Sequence, residues 1–314
     1  MEVLSREEWS ERAASHAARV DTYLRPHLAR RAARIKHPVH DFCFTYYSHR
    51  PAQLRRWHPG FGVALEDAAA YASLTGYASR LRDGRDETSS AMVSQEYAAA
   101  QRPFVEQIHR LLTATAGRAA NFGCFGMHEW AMVYRLTPTH VRHSGWPLRL
   151  GSEGTDRVVE SHRIACSHFD AYRFFTPAAA PLNSLRPSAS DRADFEQPAC
   201  LHGNMDLYGK VAVRLSPLIC SDLVADAFEL AWDIRIMDMR AAPYDLSGII
   251  LDPYGIEWTP IRIETSEGKR EYADLQRHYS ERAKPIRQAL IEECERLLGL
   301  SPASRYGRLI APST

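Results

Sequence analysis

No stretch of this 314-residue chain approaches the roughly 18 uninterrupted apolar residues that cross a bilayer. The opening MEVLSREEWS has no apolar run behind a basic patch, so it does not read as a signal peptide. Together these absences predict a cytosolic protein with no membrane partner. The six cysteines (Cys43, Cys124, Cys166, Cys200, Cys220, Cys294) lie far apart with no CxxC pair, which argues against a zinc ribbon or disulfide framework. Reduced, structural thiols are predicted. No His-Glu-x-x-His occurs, which excludes the zincin motif, and no nucleotide-cofactor motif is present. Lysine is scarce: Lys36, Lys210, Lys269 and Lys284 are the only ones among 39 basic residues. The formal charge of +1 lacks the basic excess that neutralises many phosphates, so tight binding of duplex DNA is not expected.

What is present is an ordinary globular composition, 45% apolar and 25% charged, with ample material for a core. The length allows one core or two, but no flexible linker or internal repeat divides the chain. A single mainly α domain with a small β element is predicted over 1–314. It comprises an N-terminal helix in 1–36, site-bearing segments over 37–206, C-terminal helices over 221–298 and a tail at 301–314.

Ser5 can cap a helix over about 6–35, with Glu8 completing a capping box, Leu4 and Trp9 at staple spacing and a kink at Pro26. Residues 37–60, HPVHDFCFTYYSHRPAQLRRWHPG, mix aromatics, histidines and arginines without a clean polar face and read as a site wall. Polar loops at 83–90 and 176–198 could cover a pocket. Between them the patterns predict a helix at 103–116 and a strand within 163–175. Ser221 is a plausible N-cap for a helix to about Arg240, with Leu223, Ala227, Leu230, Ala231, Ile234 and Met237 on its apolar stripe. A second helix spans about 267–298 with a bend at Pro285, and Pro260–Ile263 is a further short strand.

Eleven of the fourteen histidines fall between His37 and His202, a clustering that proton transfer or metal ligation would use and packing would not require. In a strand, His168 and Asp170 would point to one face. With His202 of CLHGNMDLYG they would form the two-His-one-carboxylate set of non-haem iron enzymes, with a divalent ion, iron or zinc, between them. His37 and His40, beside Asp41, are further candidate ligands; the alternative is a helix turn whose start Asp41 stabilises. His128 and Glu129 follow GCFG, whose Gly123 and Gly126 would admit close backbone approach to a ligand. Glu129, with His128 and Asp206, is a candidate for general acid–base work. Tyr46, Arg55, Arg56, Trp57, Trp130, Arg173, Arg240 and Asp245 are candidate substrate contacts. For Arg55, Arg56 and Trp57 a surface ion-pair cluster is the simpler account, and the run Asp238, Arg240, Tyr244, Asp245 could equally form a salt-bridge network.

The blocks HPVHDFCFTYYSHRPAQLRRWHPG, GCFGMHEWAMVYR, WPLRLG, CSHFDAYRFFTPAAAPLN, CLHGNMDLYG and DMRAAPYDLS together resemble a family common in actinobacteria, whose members are called 3-methyladenine DNA glycosylases. The resemblance spans almost the whole chain. It implies excision of an alkylated purine, which requires a basic duplex-binding face, an aromatic pocket for the extruded base and a carboxylate. Gly203 and Gly209 stand where bulkier residues are expected in typical members, which marks a specialised, pathway-type relative. Three readings follow. The first is a metal-dependent enzyme, possessing a His/Asp site, that acts on a small heterocyclic or amino-acid-like substrate; the second is an N-glycosylase; the third is a non-catalytic small-molecule binder. The charge balance and the histidines favour the first.

Overall fold

The computed structural model describes residues 2–81, 89–136 and 145–300. His140, His143, most of the 83–90 loop and the 301–314 tail lie outside the described residues.

Helices dominate, as composition and periodicity predict. Ser5 caps the helix Arg6–Ala32 and exchanges hydrogen bonds with Glu8, the capping box read from the sequence. The helix contains Pro26 and ends three residues early. The helix expected from 103 starts instead at Gln95, because Ser94 caps it by accepting from the Tyr97 amide. Pro103 therefore lies inside the helix.

The β content is placed differently from expectation. Strands Glu2–Leu4, Val63–Leu65, Ser89–Val93 and Tyr77–Leu81 lie side by side in that order, the first pair parallel and the others antiparallel. Three-residue strands carry too little alternation to be legible. The strand expected at 163–170 reduces to one bridge between Ile164 and Asn183, after which the chain turns into the short helix Phe169–Tyr172. Pro260–Ile263 forms no strand; the small second sheet pairs Ile250–Leu251 with Ile256–Glu257.

The helix Ser221–Ala241 runs through the middle of the molecule. Cys220 is its N-cap, not Ser221, whose hydroxyl instead accepts from the His58 amide. Leu223, Ala227, Phe228, Leu230, Ala231, Trp232 and Ile234 are fully buried, so the helix is enclosed on nearly all sides and not amphipathic against solvent. Ser266–Leu298 packs against it and against Gln95–Ala116. One apolar cluster runs from Leu4 to Leu298. Two short helices, Met127–Ala131 and Leu201–Asp206, reach the middle of the molecule, and the latter packs against the central helix. No helix among the described residues is long and apolar enough to cross a membrane.

Candidate functional site

Three elements bring charge into the core. The central helix contributes Arg235 and Asp238, three apart and therefore on one side. Leu201–Asp206 contributes His202 and Asp206, four apart, and continues as a π-helix over Leu207–Ala212 that carries Lys210. Met127–Ala131 contributes His128 and Glu129, and starts at Gly126, whose φ of +66° is the left-handed conformation that favours glycine. A Cβ at Gly126 would meet only ordinary contacts, and one at Gly123 would approach the Asn121 side chain. Gly126 thus serves the turn into the helix.

Among the described residues, three groups hold ligand atoms within 4.8 Å of one another: His37–His40–Asp252, His128–His202–Asp238 and His168–Glu196–Asp206. The set His168–Asp170–His202 is not one of them. Its strand premise fails because His168 ends an extended stretch and Asp170 lies in the helical turn after it. The imidazole therefore faces Asp206, at 2.9 Å, while the carboxylate faces Lys210 and Arg173.

The three groups differ in which atoms are already taken. The His37 Nε2–H donates to the Ile250 carbonyl and Nδ1 accepts from the Val39 and His40 amides, so neither nitrogen has a lone pair free. Asp252 is paired with Arg30. In the third group Asp206 receives His168, Arg192 at 3.0 Å and Lys210 at 3.2 Å, and Arg192 also holds Glu196. These protein cations already neutralise the carboxylates. In the second group His128 Nε2 and Asp238 Oδ1 form a buried ion pair 3.2 Å apart whose alignment falls short of a hydrogen bond. The His202 ring stands edge-on to His128 with centroids 4.2 Å apart, and no hydrogen bond among the described residues engages it. Arg235 holds the other Asp238 oxygen at 3.1 Å.

Electrostatics follow from these contacts. Burial opposes charge on His128, but the adjacent Asp238 carboxylate outweighs it and pushes the imidazole up to about 10. Burial alone would raise Asp238, yet His128 holds it well below the usual carboxylate range. Burial, reinforced by His128, keeps His202 well below the ordinary imidazole value. A metal ion replacing the His128 proton would meet the same carboxylate.

His202 also lines a cavity of about 270 Å³ whose walls include Phe42, Tyr46, Glu129, Met132, Asp170, Phe174 and Arg235. The structure thus brings Tyr46, Glu129, Asp170 and His202 to one space, and His128 directly behind it. Asp206 and His168 lie beside it in the ion-paired group. Arg173 binds Asp170 from the outside. The remaining expected substrate contacts are elsewhere. Trp57 and Trp130 are core residues, Trp130 donating to the Ala241 carbonyl. Arg55 is exposed and pairs with Asp21, and Arg56 is exposed. Arg240 binds Thr259 and Glu271, and Asp245 accepts from Ser247.

Of the two charged residues that the central helix brings here, Arg235 is not singled out from the sequence and Asp238 is named there only within the run that ends the helix. Their signal was in the pattern: they continue the buried stripe of Ala227, Ala231 and Ile234 at helical spacing with charges where apolar residues belong. No family model, no curated protein and no solved structure matches the chain.

Proposed function

We propose that the protein is a metal-dependent enzyme in which His128, His202 and Asp238 hold a divalent ion, iron or zinc, beside the cavity that receives a small substrate. The observation that carries this reading is the buried ion pair of His128 Nε2 and Asp238 Oδ1, 3.2 Å apart, out of hydrogen-bond alignment and adjacent to the His202 ring. Buried polar atoms are normally satisfied, and each such exception needs an explanation. A cation shared with His202 supplies one. The spacing suits two ligand atoms each about 2 Å from a common ion. Two imidazoles and one carboxylate leave open positions, where iron would support oxygen chemistry and zinc would activate water.

The protein's own groups have separate tasks. Arg235 orients Asp238 through its second oxygen, the role that an outer partner of a metal ligand plays. Glu129 lines the cavity with Oε1 3.4 Å from Arg235, and is the carboxylate placed to hold or move a proton of the substrate. Phe42, Tyr46, Met132 and Phe174 exclude water from the substrate's apolar part.

Metal analysis of protein purified without chelators tests the assignment. About one ion per chain is expected, lost in His202→Ala and Asp238→Asn but retained in His37→Ala and His168→Ala. Retention in the first two, or no uptake by the unmodified protein on reconstitution with iron or zinc, overturns it.

A further inference from the structure

One carboxylate and one guanidinium in the cavity wall each keep an atom free. Glu129 Oε1 is taken by Arg235 Nη1 at 3.4 Å and lies 3.8 Å from His128 Nε2. Glu129 Oε2 has no hydrogen-bond partner among the described residues, and it is not enclosed by protein. Arg235 meets both Glu129 and Asp238 through the same nitrogen, Nη1, and its Nε is enclosed. Its Nη2 also lacks a partner among the described residues and is not enclosed. Both side chains line the cavity, so this space offers an open acceptor of negative charge and an open donor of positive charge. Each lies one carbon beyond the 3.4 Å contact, close enough for two groups joined through a single carbon to reach both. We propose that the cavity takes an α-amino acid with a flat apolar side chain, its ammonium on Glu129 Oε2 and its carboxylate on Arg235 Nη2.

Charge balance favours a ligand that carries both signs. Arg235 offsets Glu129, and Asp170, the other carboxylate of the wall, already meets Lys210 and, at 3.0 Å, Arg173. Behind the wall His128 offsets Asp238, and burial keeps His202 neutral. A zwitterion adds no net charge and lies antiparallel to the Glu129–Arg235 pair, so neither open atom is left unmatched. A simple amine would leave Arg235 Nη2 without an acceptor, and a simple acid would leave Glu129 Oε2 without a donor; both omissions weaken binding in a site shielded from water. The walls set the side chain: Phe42, Tyr46 and Phe174 are rings, Met132 adapts to irregular shapes, and about 270 Å³ lies just below the usual range for ligand pockets. The inference rests on the reading of this cavity as the substrate's place. It does not require the ion, which would change the surrounding charge by one and engage neither open atom.

Phenylalanine, phenethylamine and hydrocinnamate share one ring and differ in which charged end they keep. Each is titrated calorimetrically into the full chain at neutral pH, with metal content measured on the same samples. Phenylalanine should bind at least about tenfold more tightly than either analogue, the loss expected for one unmatched charged hydrogen-bonding group. Glu129→Gln, which keeps the shape of the side chain, should weaken phenylalanine and phenethylamine about tenfold and leave hydrocinnamate within about twofold. An analogue that binds the unmodified chain as tightly as phenylalanine, or no binding of phenylalanine at millimolar concentration, overturns the proposal whether or not the variant folds. Metal uptake with no preference for the amino acid removes this inference and leaves the metal site standing. Preference for phenylalanine in a protein that takes up no metal upholds the inference without that site.

Discussion

At the scale of single residues, the same side-chain types have three fates according to what occupies their lone pairs. His128 and Asp238 pair by charge without hydrogen-bond alignment, while His168 and Asp206 are hydrogen-bonded within a larger set of ion pairs and His37 is taken by backbone hydrogen bonds. His40 is a fourth case. It is fully buried between His37 and Trp232, with centroids 4.2 Å and 4.1 Å away, and neither nitrogen is bonded. Burial, with the neighbouring His37 and Arg30, lowers its pKa to about 2. The unfolded chain therefore binds a proton that the folded protein refuses between about pH 6.5 and pH 2, so stability falls as pH drops through this window. Between pH 6.5 and pH 5 this one residue should remove about 1.5 kcal/mol. His49 and His58, each lowered to about 4 by burial, act in the same direction. In His40→Phe the urea midpoint should decline less from pH 7 to pH 5 than in the unmodified protein; an unchanged decline rejects the assignment.

At the scale of elements, the junction of Leu201–Asp206 with the π-helix Leu207–Ala212 does two things. It points His202 and Asp206 into two different groups, and it brings Gly209 against Tyr47, whose hydroxyl donates to Asp206. A Cβ on Gly209 would fall 1.8 Å from the Tyr47 ring. Gly209→Ala should therefore displace Tyr47 and cost about 1–3 kcal/mol by urea denaturation. At Gly203 a Cβ would meet Cys200 at 3.6 Å, an ordinary contact. Gly203→Ala, within the helix, should be neutral or stabilise by about 0.5–1 kcal/mol. Equal losses in both variants would show that the tyrosine contact is not what Gly209 protects. The two glycines thus have different reasons to be glycine.

At the scale of the molecule, the apolar cluster from Leu4 to Leu298 ties the first and last described helices to the central one. Limited proteolysis should accordingly yield no pair of stable fragments of similar size; such a pair would mean two cores. Charge is the second global property. The net charge is +1, and many of the arginines that might face phosphates are spent internally, among them Arg19, Arg30, Arg149, Arg192, Arg235 and Arg296. Duplex DNA should bind weakly at physiological salt, and alkylated duplexes should release 3-methyladenine no faster than spontaneously. Gel shifts and excision assays check both. Release above the spontaneous rate would favour the glycosylase reading over the metal-dependent one.

Local chemistry was legible in the sequence: the Ser5–Glu8 capping box, the long helices around 6–32, 221–241 and 266–298, and the mainly α class all follow from spacing and caps that act within a few residues. The concentration of histidine before His202 falls in the part of the chain that supplies most members of the groups able to hold a metal ion. The grouping of His128, His202 and Asp238 was not legible, because they meet only after three separate elements pack, and a histidine's spacing says nothing about which of its nitrogens the backbone will claim. The error at His168 and Asp170 has the same origin. A strand would have aligned them, but the chain turns at Phe169, and one bond of rotation sends the imidazole inward to Asp206 and the carboxylate to Lys210. Sequence by itself determined which long helices form and where histidines are concentrated, since both depend on near neighbours; tertiary packing alone decided which of those side chains meet and which polar atoms are left without hydrogen bonds.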